Sequence, residues 1–155
     1  MIKSLKNNNK NISLKSKIIN TLMLSGKKNT GEKILLRFAK QLQKSSNKNF
    51  KALVKLAVMN STPAFKLNEQ IVKKGKRKAV RTISSFITND SLRVLTSLKL
   101  IKATVAKHKG PKQFYELLAD EILASSNFKS SSVEKKTELQ KQVLINKRYL
   151  SKFRW

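Results

Sequence analysis

Apolar residues recur at helical spacing along nearly the whole chain, and the spacing changes to every second position only once, just after Pro63. Phe65, Leu67, Glu69 and Ile71 mark that change. A period near 3.6 residues builds one face of a helix, whereas a period of two builds one face of a strand. The chain is therefore expected to be mainly α, with a single β element.

The helical stretches can be placed from their stripes and their stop signals. Leu14, Ile18 and Leu22, with Ile19 and Met23 beside them, predict a first helix capped by Ser13 and ended by Gly26 in the left-handed conformation. Leu35, Phe38, Ala39 and Leu42 predict a second, with Thr30 as its cap. Phe50, Leu53, Val54, Ala57 and Val58 predict a third, and Pro63 ends it because it lacks the N–H a helix needs. Val80, Thr82 and Ile83 form a second β-prone stretch, so residues 64–86 read as a β-hairpin turning near Gly75. Asn89 and Asp90 are good caps for a fourth helix lined by Leu95, Leu98, Ile101 and Val105, which Gly110-Pro111 should stop. A fifth carries Phe114, Leu117, Leu118 and Ile122. The serines at 130–132 interrupt it, and Ser131 with Glu134 fits a capping box for a sixth, which carries Leu139, Val143 and Leu150. The expected architecture is a single helical domain of about six helices with a protruding β-hairpin. It is flanked by a basic arm (1–12) and a basic, aromatic C-terminal tail (147–155).

Charge then narrows the function. The 155 residues hold 35 Lys and Arg against 8 Asp and Glu, a formal net charge of +27. Uncompensated like charge weakens a compact state, and a polyanion relieves it by exchanging bound counterions for side-chain cations. A pI near 10.7 is the electrostatic signature of a nucleic-acid-binding domain. A surface charged only for solubility would mix both signs.

Several stretches concentrate the positive charge. Residues 66–81 hold Lys66, Lys73, Lys74, Lys76, Arg77, Lys78 and Arg81 against one acid, Glu69. A thin ribbon so charged can enter a groove or follow a backbone. One or two lysines would suffice if the aim were only to protect a sheet edge from aggregation. Lys27 and Lys28 follow a helix end and precede another helix, whose N-terminus adds phosphate donors. The tail interleaves Lys147, Arg148, Lys152 and Arg154 with Tyr149, Phe153 and Trp155. Its aromatics suit stacking on unpaired bases, or packing on the body, and both readings stand. The acid-free arm, with Lys10 as its candidate contact, suits ordering on a polyanion. It shares its lack of acids with mitochondrial transit peptides but lacks their Arg.

Catalytic chemistry has little to work with. Cys is absent, which excludes disulfides, thiolate metal sites and Cys nucleophiles. His108 is the single histidine and sits between Lys107 and Lys109 at a helix end, where positive charge suits the dipole. Glu116 with Asp120, and Glu134 with Glu138, lie one turn apart, but no His or Cys accompanies them and lysines surround them. Gly26-Lys27-Lys28 lacks the upstream glycine of a phosphate-binding loop. Neither an enzyme nor a metal or cofactor is expected. No apolar run reaches the roughly 18 residues of a membrane span, and no apolar h-region suggests a secretory signal.

With these parts placed, the chain resembles the ribosomal small-subunit protein seven family. Residues Ile18 through Thr30, with Gly26-Lys27-Lys28, are similar to its first helix and Gly-Lys-Lys signature. Asn60 and Pro63 match its Asn-x-x-Pro ahead of a basic hairpin. Val133 through Tyr149, then Phe153-Arg154-Trp155, resemble its last helix and Arg-Trp ending. The departures are a short Lys/Asn arm in place of a longer Arg-rich one, one glycine at the hairpin tip, Ile87 and Thr88 where basic residues are expected, a longer fourth helix and one extra residue before Phe153.

The resemblance implies a structural protein on the 3′ major domain of small-subunit rRNA that nucleates head assembly. Its hairpin would lie near the exit-site tRNA and the mRNA path, with other ribosomal proteins as neighbours and no membrane. Lys27, Lys28, Lys73, Lys74, Lys76, Arg77, Lys78, Arg154 and Trp155 would then contact RNA. The drift, and the heavy use of Lys, Asn and Ile, suggest a mitochondrial ribosome, with a plastid or bacterial one as the alternative. Another class of function is a DNA-compacting protein with a basic β-ribbon, but its apolar or proline wedge is missing from this tip. A membrane-surface helix would need its basic residues on one helix face, and here they are spread widely.

Overall fold

The computed structural model describes residues 13–74, 77–108 and 110–146; for 72–74, 77, 78 and 81 it describes the backbone alone. Six helices and one hairpin follow in the order α1 (Leu14–Leu22), α2 (Lys28–Ser45), α3 (Phe50–Ser61), β1 (Phe65–Lys74), β2 (Arg77–Phe86), α4 (Asp90–Val105), α5 (Phe114–Ser126) and α6 (Ser131–Ile145). The mainly α reading holds, as does the hairpin.

Local signals account for most boundaries. Ser13 accepts a hydrogen bond from the Ser16 N–H and opens α1. Asn49 does the same for α3 through Lys51, and Asn89 for α4 through Ser91. Gly26 has φ +73° and Ser25 φ +49°, so two successive left-handed residues reverse the chain between α1 and α2. Four expectations fail. Met23, in an extended conformation, ends α1 three residues ahead of Gly26, which turns the loop instead of ending the helix. Lys27, with no side-chain bond, holds the cap position of α2, and Thr30 lies inside its first turn. Helix α4 ends at Val105, with a turn through Ala106 and Lys107, before Gly110-Pro111 is reached. Ser130, not Ser131, caps α6, its hydroxyl accepting from the Val133 N–H.

Helix α5 is the centre of the body and packs against α2, α3, α4 and α6. Its Leu118, Ala119 and Ile122 join Phe38 and Leu42 of α2, Val54 and Ala57 of α3, and Ile101 and Val105 of α4 in one core. Phe38 meets Phe50 edge to face at 5.3 Å, the geometry aromatic quadrupoles favour. Gly31 is buried where α2 crosses α1: a Cβ there would lie 3.3 Å from the Ile19 carbonyl oxygen.

The hydrogen-bonded seams between helices are uncharged at most points. Ser61 and Ser97 share a 2.7 Å bond between α3 and α4, and Ser97 also donates to the Val58 carbonyl. Ser125, Ser130 and Ser132 form a buried triangle with sides of 2.9 Å. One charged group that joins them is the buried Glu121, which accepts from the Ser132 N–H and so fixes the start of α6 against α5.

Candidate nucleic-acid interface

The ribbon is a simple antiparallel pair registered from Phe65↔Phe86 to Lys74↔Arg77, which leaves a two-residue connection. Its base is held. Phe65 and Phe86 face one another at 4.6 Å, and Ser84 donates to the carbonyl of Asn146 at the end of α6. Burial falls away along β1: Leu67 is half-buried, whereas Ile71, and Val80 opposite it, are 65% and 62% exposed. The alternation expected from Phe65 to Ile71 thus marks a core face only near the base. Beyond it, the apolar side chains serve pairing across the ribbon.

At the far end the register sets Lys73 opposite Lys78 and Lys74 opposite Arg77. Like charges directly across a ladder are destabilising. Nothing in the pairing itself rewards that choice, so it makes sense for a ribbon that meets a polyanion. Arg81 stands opposite Gln70 on the same ribbon. Lys76, Lys10, Lys147, Arg148, Lys152, Arg154 and Trp155 lie outside the described residues.

Lys27 and Lys28 are exposed in the α1–α2 loop, on the N-terminal end of α2. No acid occupies the first turn of α2, so the positive end of its dipole adds to the two ammonium groups. This loop stands on α1 and α2 while the ribbon stands on α6, so the structure presents two separate cationic parts.

A third has no counterpart in the sequence reading. Lys33, Arg37, Lys40 and Lys44 are exposed on α2 at spacings of four, three and four residues, which makes one basic ridge along the helix. The spacing is the signal that could have found it. Arg37 also lies over the Tyr115 ring at 6.0 Å, which orients it. Two other lysines are diverted inward: Lys102 donates to the Thr21 carbonyl, and Lys136 to the Asn60 carbonyl at 2.7 Å.

The acids build no catalytic centre. Glu116 turns back to the Gln113 N–H at the start of α5. Asp120 meets Lys112 at 2.8 Å, and that hydrogen bond, with the charge of Asp120, holds the Lys112 ammonium above the usual lysine range. Glu134 and Glu138 are exposed. Among the described residues, no group of three His, Asp or Glu could hold a metal ion, and no helix is long and apolar enough to cross a membrane.

A helical body that carries a cationic ribbon, loop and ridge has the make-up expected of a nucleic-acid-binding protein. Comparison with known proteins makes this specific. The family described as Ribosomal protein S7p/S5e matches residues 2–147. The chain is 33% identical over 142 residues to the small ribosomal subunit protein uS7c of Euglena longa, covering 90% of this chain and 77% of that one. It is 30% identical over 148 residues to uS7 of Mycoplasma mobile, covering 90% and 85%, and 28% identical over 142 residues to uS7 of Vibrio campbellii, covering 92% and 86%. The chain belongs to the ribosomal protein S7p/S5e family, and is a structural, non-enzymatic protein of the small ribosomal subunit.

Proposed function

We propose that this chain grips the 3′ major domain of small-subunit rRNA with its ribbon, its α1–α2 loop and its tail, and that it nucleates assembly of the subunit head. The opposed cation pairs Lys73↔Lys78 and Lys74↔Arg77 carry the reading, because an anion is what relieves their mutual repulsion. Binding is electrostatic clamping. Lys10, Lys27, Lys28, Lys73, Lys74, Lys76, Arg77, Lys78, Arg81, Lys147, Arg148, Lys152 and Arg154 exchange counterions for phosphates, and Trp155 stacks or packs at the end of the chain. The body stays rigid meanwhile, since its seams are closed by serine and asparagine hydrogen bonds. The ribbon lies near the exit-site tRNA and the mRNA path, and other head proteins are its neighbours. The ribosome is a mitochondrial one, with a plastid or bacterial ribosome as the alternative; the heavy Lys, Asn and Ile usage and the departures from the family pattern support the mitochondrion.

Filter binding of the full chain to a transcript of the 3′ domain tests this. About ten phosphate contacts give a log–log salt slope of roughly −7 to −9, and structured rRNA should outcompete duplex DNA. A nearly flat slope, preference for duplex DNA, or absence of the chain from small subunits on gradients would refute the proposal.

A further inference from the structure

One residue is placed against the preference of its own backbone. Phe128, in the turn between α5 and α6, has φ +60° and is 67% exposed. Its surroundings demand that conformation. The Phe128 N–H donates to the Ser125 carbonyl at 3.2 Å, and the Lys129 N–H to the Ala124 carbonyl at 2.9 Å. These are the two bonds of the motif that ends helices on a left-handed residue, a place where glycine is usual. A bulky side chain there is a true outlier and costs stability. The residue recovers little by burial, since about two-thirds of its surface faces solvent.

The corner around it is fixed and cationic. Lys129 beside it is exposed, as is Asn127. Ser125, at the root of the turn, is locked in the buried serine triangle. Asn60 donates to the carbonyls of Ser125 and Ser126, which ties the turn to the end of α3, just ahead of the ribbon. A rigid corner near the base of the ribbon therefore holds an aromatic ring outward, next to an ammonium group, in a backbone state that glycine would occupy more easily.

We infer that Phe128 is a stacking platform for an unpaired base of the bound RNA, with Lys129 placed for the adjoining phosphate. The inference rests on the rRNA-binding reading and extends it to a contact of another kind, one that is apolar and blind to salt. A protein neighbour could also cover an exposed ring, but the flanking cation and the chain's +27 charge favour nucleic acid.

The test compares Phe128→Gly, Phe128→Leu and Phe128→Trp in the full chain. Affinity is measured at fixed salt for the 3′-domain transcript and for a fully paired RNA duplex, and melting temperature is followed alongside. Phe128→Gly should melt no lower than the parent, yet weaken binding to the transcript by about 5- to 150-fold, the worth of one stacked base. Its salt slope should be unchanged, because every phosphate contact remains. Leu should weaken binding as Gly does, Trp should retain it, and the duplex affinity should not move. The idea is overturned by unchanged transcript affinity in Phe128→Gly, by retention in Phe128→Leu, which would indicate an apolar contact without ring stacking, or by equal weakening on the duplex. A parent chain that ignores the transcript would refute the broader rRNA reading instead, so the two failures are distinguishable.

Discussion

Asn60 offers the sharpest check on how the body is held. Its side-chain amide donates to the Ser125 carbonyl at 2.9 Å and the Ser126 carbonyl at 3.2 Å, and the residue is 9% exposed. Two acceptors facing one group require an NH2, and they identify which end of the amide points inward. Asn60→Ala removes both bonds. Each is worth about 0.5–1.5 kcal/mol net. Ser125 keeps a second donor in the Phe128 N–H, which limits the penalty at that carbonyl. The cost should be about 1–2 kcal/mol, or roughly 2–8 °C in melting temperature for a chain of this size. Asn60→Asp should be worse, because a carboxylate would confront two carbonyl oxygens with nothing to donate. In the folded state that carboxyl would hold its proton more tightly than when unfolded. Its folded pKa is thus raised, the native state binds more protons, and stability falls as pH rises. Asn60→Asp should therefore recover part of its deficit on acidification, whereas Asn60→Ala should not recover relative to the parent. Urea unfolding followed by circular dichroism at two pH values reads both effects. The reasoning is wrong if Asp is as stable as Ala at neutral pH, or if Ala costs less than about 0.5 kcal/mol.

Replacing Lys73, Lys74, Lys76, Arg77 and Lys78 together by Gln should flatten the salt slope by about 0.7–0.9 for each phosphate no longer neutralised. The helical circular dichroism should stay as it is, since the ribbon is supported at its base. Gly31→Val should lower stability by about 1–3 kcal/mol through overpacking against α1. Gly31→Ala should come out near neutral in thermal melts, as the tight 3.3 Å approach opposes a helix-propensity gain of about 1 kcal/mol. Lys112→Ala should leave the melting temperature nearly unchanged, because the pair with Asp120 is exposed and screened. With the Lys112 pKa raised, that pair's contribution is present at neutral pH and is lost as pH rises through the raised value, so no pH dependence should appear between neutral pH and the lysine range.

What is legible in the sequence is what neighbouring residues decide among themselves. Ser13, Asn49 and Asn89 bond to N–H groups two or three residues on, and Pro63 and Gly26 act through their own backbone angles. The ribbon is visible because alternation and a short turn are also local. The misses lie where distant parts decide. Ser130 takes the cap that the Ser131–Glu134 spacing advertises because its hydroxyl is also held by Ser125 and Ser132. Thr30 is displaced because the left-handed pair Ser25-Gly26 starts α2 early. Asn60 shows in the sequence only as part of a family motif, since its partners stand 65 and 66 residues away. Of the interface, the cationic stretches are legible as composition, while the opposition of Lys73 to Lys78 needs the register. Phe128 gives no warning, because nothing in an Asn-Phe-Lys tripeptide announces a left-handed ring.

The same shortage of acids that exposes the cationic surface also shapes the interior contacts. All eight acids lie within the described residues, yet only Asp90 and Asp120 form ion pairs there, while Glu116 and Glu121 serve backbone N–H groups. Counter-charge for cations that must sit against the body comes from elsewhere. Lys102 reaches the carbonyl of Thr21 in the last turn of α1, and Lys136 that of Asn60 in the last turn of α3. A helix end of this kind carries about half a negative charge and has carbonyls to spare. Using it stabilises an inward-turned lysine without placing a carboxylate near the surface, where it would lower the positive potential. Half of the acids are thus spent on caps, exposed pairs and the α5–α6 seam, while the ribbon has only Glu69. A fold so arranged is tied together with few carboxylates and leaves a strongly positive potential at its surface.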